Sequence, residues 1–111
     1  MPTTILRDGA LINISAISAD SAWTDIFTSG QDLTTGPMID WIMFVPGSAN
    51  DKMVIKKKTA AGPIGFRALC LTTDEKIVYF HGARFPFIID FSDCTLNAGH
   101  MVIIQLWPRE V

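Results

Sequence analysis

The chain has 111 residues, enough for one domain with its own hydrophobic core. Hydrophobic residues make up 49% of it and charged residues 18%, a low charged fraction that predicts apolar surface left over for a partner. The net charge of -2 excludes a globally basic nucleic-acid-binding protein, and no apolar run approaches the ~18–20 residues of a membrane helix. We therefore expect a soluble protein made in the cytoplasm, with neither nucleic acid nor membrane as its partner.

Turn-forming residues divide the first part of the chain into short β-type segments. After a polar start, Asp8-Gly9 predicts either a small hairpin or an extended N-terminal arm over residues 1–9, followed by a strand over residues 10–15. Residues 22–28 alternate in polarity and are rich in β-branched and aromatic side chains, so they predict another strand. The loop over residues 29–37 is long enough to cross between two sheets.

Residues 39–58 carry the strongest β signal. Residues 41–45 are apolar at every position, which predicts a strand covered on both faces. Residues 52–56 alternate, which predicts a strand with one face in water. Because residues 46–51 are turn formers, we predict that the two strands form one long antiparallel hairpin. In the first strand, one side carries Trp41, Met43 and Val45. The other side carries Ile42 and Phe44.

The second half of the chain repeats the pattern of short strands and turns. Strands are predicted over residues 64–72, 77–80, 85–91 and 101–107, with turns at 73–76, 81–84 and 97–99. No segment shows sustained helical periodicity. Seven or eight strands spaced by turns predict an all-β fold, an antiparallel β-sandwich of jelly-roll type, in a single domain over residues 1–111.

No metal, cofactor or catalytic site is predicted from the residue pattern. The possible ligands His81, His100, Cys70 and Cys94 are widely separated, without a metal-binding spacing. We expect the two cysteines to be free and buried rather than bonded to each other. The carboxylates at positions 90 and 93 are a weak calcium pattern and are more typical of an ordinary turn.

Two further features have both a structural and a functional interpretation. The three lysines at 56–58 are interpreted as a solvated strand end that discourages edge-to-edge aggregation, with attachment to an acidic surface as the alternative. The tryptophans are interpreted as core residues, with a sugar-stacking platform as the alternative. Of the three tryptophans, Trp23, Trp41 and Trp107, the last is the best candidate for an exposed or interfacial side chain.

Three stretches carry a resemblance: Ser-Ala-Asp-Ser-Ala-Trp-Thr-Asp at 18–25, Val-Pro-Gly-Ser-Ala-Asn-Asp at 45–51 with Lys-Met-Val-Ile after it, and Asn-Ala-Gly-His-Met-Val-Ile-Ile-Gln-Leu at 97–106. Together they resemble the capsid decoration, or cement, proteins of tailed bacteriophages. The resemblance implies a structural virion protein on the capsid surface, made in the host cytoplasm and bound to the major capsid protein. It implies a homo-oligomer, with a trimer favoured, and no enzymatic activity, cofactor or small-molecule ligand.

A hypothesis for the contact residues follows from this resemblance and from the apolar start and end of the chain. The predicted interface comprises Ile5, Leu6, Leu11, Ile12, Ile14 and Trp107. Deletion of residues 1–8 is then expected to weaken assembly more than it lowers the melting temperature. The alternative function is a carbohydrate- or receptor-binding β-sandwich module. A cupin-like enzyme ranks third, because the usual metal-binding histidine cluster is missing from the sequence.

Overall fold

The computed structural model describes residues 3–26, 36–59 and 61–107. Within them lie nine strands, one helical turn and one turn of 3-10 helix, Phe91–Asp93. The strands form an antiparallel five-stranded sheet, β1-β2-β9-β4-β7, and an antiparallel four-stranded sheet, β3-β8-β5-β6. The elements are β1 (Thr4–Asp8), β2 (Leu11–Ser15), β3 (Ser21–Ala22), α1 (Trp23–Ile26), β4 (Met38–Val45), β5 (Asp51–Lys57), β6 (Ile64–Cys70), β7 (Lys76–Arg84), β8 (Phe87–Ile89) and β9 (Met101–Leu106).

The order of the strands is that of a jelly roll. The pairs β2·β9, β3·β8, β4·β7 and β5·β6 are the successive rungs of one long antiparallel ribbon, which is rolled so that its rungs alternate between two sheets. Strand β1 extends the first sheet beyond β2. The predicted all-β sandwich of jelly-roll type is therefore confirmed.

The core lies between the two sheets and is built from alternate residues of each strand. In β9, for example, Val102, Ile104 and Leu106 are completely buried while the residues between them are not. Burial of each such side chain contributes about 1.5–3 kcal/mol. The largest buried side chains of the described part are Phe44, Phe66 and Phe87, with Ile12, Ile14, Ile26, Ile39, Ile42, Met53, Ile55, Ile89 and Ile104.

The predicted hairpin over residues 39–58 is wrong. Strands β4 and β5 belong to different sheets, and the loop over residues 46–50 crosses from one sheet to the other. The hairpin at the end of the ribbon is instead β5–β6, closed by the Lys57 N–H donating to the Pro63 carbonyl over 2.9 Å. Turn-forming residues occur both in hairpins and in crossovers between sheets. The two can be told apart only when it is known which distant strands pair.

Residues 22–28, predicted as one strand, divide after Ala22. The helical turn α1 follows, with Ile26 completely buried and Trp23 packed against the core. Residues three apart lie on one side of a helical turn, and burial of both side chains outweighs their β propensity. The last two residues of that prediction, and the predicted loop as far as residue 35, lie outside the described residues.

The predicted turn at 81–84 is a bulge within β7. His81 and Gly82 have φ of 52° and 85°, and three residues of β7 oppose the single residue Asp40 of β4. Left-handed residues of this kind mark bulges as well as turns. At the start of the chain, the hairpin alternative is the one observed, because β1 pairs with β2 along its whole length and Ile5 packs against the core.

His100 holds the end of β2 to the start of β9. It is buried, and its Nε2 accepts a hydrogen bond from the Ile17 N–H over 3.0 Å. Since Nε2 is the acceptor, Nδ1 carries the proton and donates to the Asn97 carbonyl over 2.8 Å. The ring thus bridges two segments far apart in sequence.

This geometry gives a direct prediction for His100. The ¹⁵N chemical shifts of the neutral ring should show the Nδ1–H tautomer, and His100→Ala should lower the free energy of unfolding by about 1–3 kcal/mol, because the buried Ile17 N–H loses its acceptor. His81→Ala, an exposed histidine in the bulge, is the matched control and should change stability by less than about 0.5 kcal/mol. An Nε2–H tautomer would contradict the assigned bridge.

Candidate functional site

The side of the five-stranded sheet that faces away from the core is largely apolar. The register of the strands aligns its residues in three rows. We call these residues the outer face. The rows are Thr4, Ser15, Met101 and Val45; Leu6, Asn13, Ile103, Met43 and Ile77; and Asp8, Leu11, Gln105, Trp41 and Tyr79.

The outer face has apolar character where most sandwiches present polar residues to water. Leu6 is 62% exposed, Tyr79 56% and Ile77 40%, and the apolar residues of the central strands are half-buried among their neighbours. Asp8 is the one charged residue that the register places here. Five strands about 4.8 Å apart and roughly five residues long give an area of about 400 Å², within the range of patches that mark interaction sites.

The outward side of the four-stranded sheet differs by its basic residues, two of which have the exposed Leu69 and Ile64 as cross-strand neighbours. Lys52, Lys56 and Arg67 lie on it, and Lys56 forms ion pairs with Asp90 over 2.8 Å and Asp93 over 2.9 Å. The hydrogen bond from Lys56, and another from Ser92, lower the pKa of Asp90. Hydrogen bonds to the two carboxylates raise the pKa of Lys56. The two outward surfaces of the sandwich therefore differ in the kind of partner that each could contact.

These ion pairs also explain the carboxylates at positions 90 and 93. Asp90 is buried, and its side chain is engaged by Lys56 and by the Ser92 hydroxyl. An ammonium group thus occupies the position that a calcium ion would need. Within the described ranges, no three His, Cys, Asp or Glu side chains are placed to hold a metal ion, and no ligand cavity opens.

The cysteines are free, as predicted. Cys70 is buried in the core, whereas Cys94 is half-buried and its Sγ lies 3.3 Å from the Val54 N–H. Burial raises the pKa of both thiols, which makes neither of them a ready nucleophile.

Aromatic rings gather at one corner of the outer face, beside the bulge of β7. Trp41 and Tyr79 are direct cross-strand neighbours, and the His81 ring stacks on Tyr79 with 6.0 Å between centroids. The Trp107 ring lies against Gly82, so close that a Cβ there would be 3.0 Å from it. Trp23 packs against the core, as the structural interpretation of the tryptophans predicts. We call Trp41, Tyr79, His81 and Trp107 the aromatic corner.

The predicted interface residues divide between surface and core. Leu6 and Leu11 are exposed on the outer face, and Trp107 is half-buried at the aromatic corner. Ile5 packs partly buried against the core. Ile12 and Ile14 are only 2% and 0% exposed, so the structure corrects their assignment: both are core residues that a partner cannot reach.

The central part of the outer face was not among the predicted contact residues. Its members on β4 and β9 are Trp41, Met43, Val45, Met101 and Ile103. The signal was present, since both strands are apolar at nearly every position, but such runs usually indicate strands covered on both faces. Here one side is covered by the core and the other is an apolar surface.

Comparison of the chain with protein-family models, with curated proteins and with solved structures finds no match. Among the described residues, no helix has the length and apolar character needed to cross a membrane. Jelly rolls occur in viral capsid proteins, in lectins and in cupins, so the fold by itself does not choose among these activities. What the chain binds is therefore inferred from the chemistry of its surfaces.

Proposed function

We propose that the chain is a structural protein of a virion, which decorates the capsid surface by protein–protein contacts and has no catalytic role. The observation that carries the proposal is the apolar outer face. A surface of this kind costs free energy in water and gains it when another protein covers it. The resemblance of residues 18–25, 45–51 and 97–106 to phage decoration proteins names the major capsid protein as the partner.

The outer face fits an extended partner better than a small ligand. It spans five strands and lacks a cavity among the described residues. Its area of about 400 Å² is roughly half of what one partner contributes to an interface of standard size. Contacts of this size become effective when copies of the chain are joined in an oligomer, because each further contact with the same capsid is then intramolecular.

Charged substitutions on the outer face test the proposal. The double variant Leu6→Lys, Leu11→Lys places two ammonium groups at exposed positions, and desolvating them should reduce binding roughly tenfold or more. Binding is measured by co-sedimentation with heads of the encoding virus that lack this chain. The melting temperature should change by no more than a few degrees.

The matched control is Phe91→Lys, another exposed apolar position, located in the 3-10 turn away from the outer face. It should bind as the unsubstituted chain does. If the outer-face pair binds normally and Lys57→Glu, Lys58→Glu abolishes binding instead, the capsid contact belongs to the basic end of β5. Failure of every variant to change binding, or no binding at all, would contradict the proposal.

A second candidate is carbohydrate or receptor binding, which the aromatic corner favours. Sugars stack on aromatic rings, and Trp41 with Tyr79 offers adjacent rings at the surface. Glycan binding at this corner should change the tryptophan fluorescence, and Tyr79→Ala should remove the change. No fluorescence response across a glycan panel would leave capsid decoration as the function to pursue.

A further inference from the structure

Among the described residues, one side of the sandwich is open, whereas on the opposite side, here called the closed side, a hydrogen bond links β1 to the end of α1. Strands β6 and β7 are the last strands of their sheets, follow each other in the chain and leave their free edges on the same side. On the opposite side, the Arg7 Nε of β1 donates to the carbonyl of Ile26 at the end of α1 over 2.6 Å. We call β6, β7 and residues 71–75 between them the open side.

Exposed apolar side chains concentrate on the open side. Of the nine large apolar residues that are exposed in the described part of the chain, six lie there. Val78 is the most informative, because it pairs with the core residue Ile42 yet remains 40% exposed. The core side of β7 is therefore incompletely covered by the described part of the chain. The six residues are Ile64, Leu69, Leu71, Ile77, Val78 and Tyr79.

The middle of strand β7 also lacks the usual protection of a free edge. Natural edges carry charges, proline or a bulge to prevent pairing with another strand. Here Lys76 stands at the start and the bulge at His81-Gly82 at the end, while Ile77-Val78-Tyr79-Phe80 between them has neither charge nor proline. These four residues have high β propensity. They form a short, flat edge to which another strand can add.

We infer that this edge pairs with the same edge of a second copy, in an antiparallel arrangement with a two-fold axis at Val78. The segment is self-complementary in that register, since Ile77 of one copy comes opposite Tyr79 of the other. The acidic turn with Asp74 and Glu75 comes beside the partner's bulge with His81. Because the axis is two-fold, the same contacts recur in both halves of the interface.

The expected contact is small and therefore weak. A side about 17–20 Å long and roughly 20 Å high, the thickness of two packed sheets, gives about 400 Å² per copy. The pair then buries about 800 Å² in total, below the roughly 1,000 Å² of a stable interface and in the range of weak, transient contacts. We expect a concentration-dependent dimer that joins two five-stranded sheets into one of ten. This differs from the trimer that the resemblance implies, and it does not depend on capsid binding.

Native mass over a wide concentration range tests the inference. The unsubstituted chain should pass from monomer to dimer as its concentration rises. Val78→Lys, which adds the residue that natural edges use for protection, should raise the dissociation constant roughly tenfold or more. Phe91→Lys, in the 3-10 turn that follows β8, should leave it unchanged. A monomer at every concentration, a trimer, or a dimer that ignores Val78→Lys would overturn the inference.

Cross-linking provides a second readout that does not require loss of association. In the proposed register the two Val78 residues face each other, within the Cα separation of 4.4–6.8 Å that a disulfide needs. Val78→Cys should form an intermolecular disulfide under mild oxidation. Thr24→Cys, an exposed residue of α1 on the closed side, should not, and both variants keep the native cysteines. Equal cross-linking of the two variants would reject the register.

Discussion

Replacing Asp51 with alanine should lower the free energy of unfolding by about 3 kcal/mol. The carboxylate is completely buried at the start of β5. It accepts hydrogen bonds from the backbone N–H groups of Gly47 over 2.8 Å, Ser48 over 3.3 Å and Asn97 over 3.1 Å, and from the Asn97 side-chain amide. It therefore joins the β4–β5 crossover to the loop before β9. Alanine leaves these donors without an acceptor in a site that water does not reach.

Two further variants test whether this loss comes from the buried hydrogen bonds rather than from the removal of a carboxylate as such. Asp51→Asn keeps one acceptor oxygen but places an NH2 group against the backbone donors. Its loss in free energy of unfolding should therefore be smaller than that of Asp51→Ala. Asp74→Ala removes an exposed carboxylate that bonds only locally with Thr72 and should cost less than about 0.5 kcal/mol. Chemical denaturation measures all three. Equal stability of Asp51→Ala and the unsubstituted chain would show that the loops do not depend on this carboxylate.

The pH dependence of this effect has a definite sign. Burial raises the pKa of Asp51, but the hydrogen bonds from Asn97, Gly47 and Ser48 outweigh it, so the pKa lies below its ordinary value. The unfolded chain therefore takes up the proton more readily. The carboxylate stabilises the fold above the unfolded pKa of about 4, and this contribution is lost as the pH falls through the folded value. The stability gap between the unsubstituted chain and Asp51→Asn should shrink below about pH 4.

Asp51 also shows why the loop over residues 46–51 could not be assigned from sequence. Its residues suit a hairpin turn, and only the distant Asn97 completes the site that buries the carboxylate. Strand identity was more predictable, because the apolar, β-branched and aromatic runs of β4 and β9 are a local property that does not depend on which strand lies next to them. The pairing of β4 with β9, about sixty positions later in the chain, has no local signature.

The predicted interface residues were likewise chosen from local sequence, which does not show which of them the other sheet covers. Leu6 and Leu11 are exposed and so remain candidates for the predicted interface. Ile12 and Ile14, which lie on β2 together with Leu11, are buried in the core. Deletion of residues 1–8 now removes an edge strand paired along its whole length. Its effect on melting temperature should therefore be larger than the sequence suggested.

The two proposed contacts use different parts of the same sheet. Pairing of β7 across a two-fold axis would leave the outer faces of both copies side by side, because cross-strand partners keep their orientation in a continuous antiparallel sheet. The apolar area presented to a capsid would then be about twice that of one copy. Loss of pairing should weaken capsid binding through lost avidity, while Leu6→Lys, Leu11→Lys, at the far end of the sheet from β7, should leave the dimer intact.

Gly47→Ala should also destabilise the fold by about 3 kcal/mol, because the added carbon overpacks a contact between two loops. A Cβ at this position would lie 2.4 Å from the carbonyl oxygens of both Asn97 and Ala98. These are backbone atoms and cannot rotate away. The crossover loop and the loop before β9 would have to separate, and the bonds that Asp51 accepts from both of them would weaken together.

Gly9→Ala is the matched control, since it isolates the cost of backbone conformation. Gly9 has φ of 60°, a value that disfavours side chains, but nothing lies within 4 Å of its Cβ position. That substitution should cost about 1 kcal/mol, whereas Gly47 has no positive φ and owes its requirement to close approach alone. The double variant Gly47→Ala, Asp51→Asn should lose less stability than the sum of the two changes, because both act on one contact. Additive losses would mean that the loops are held together by something other than Asp51.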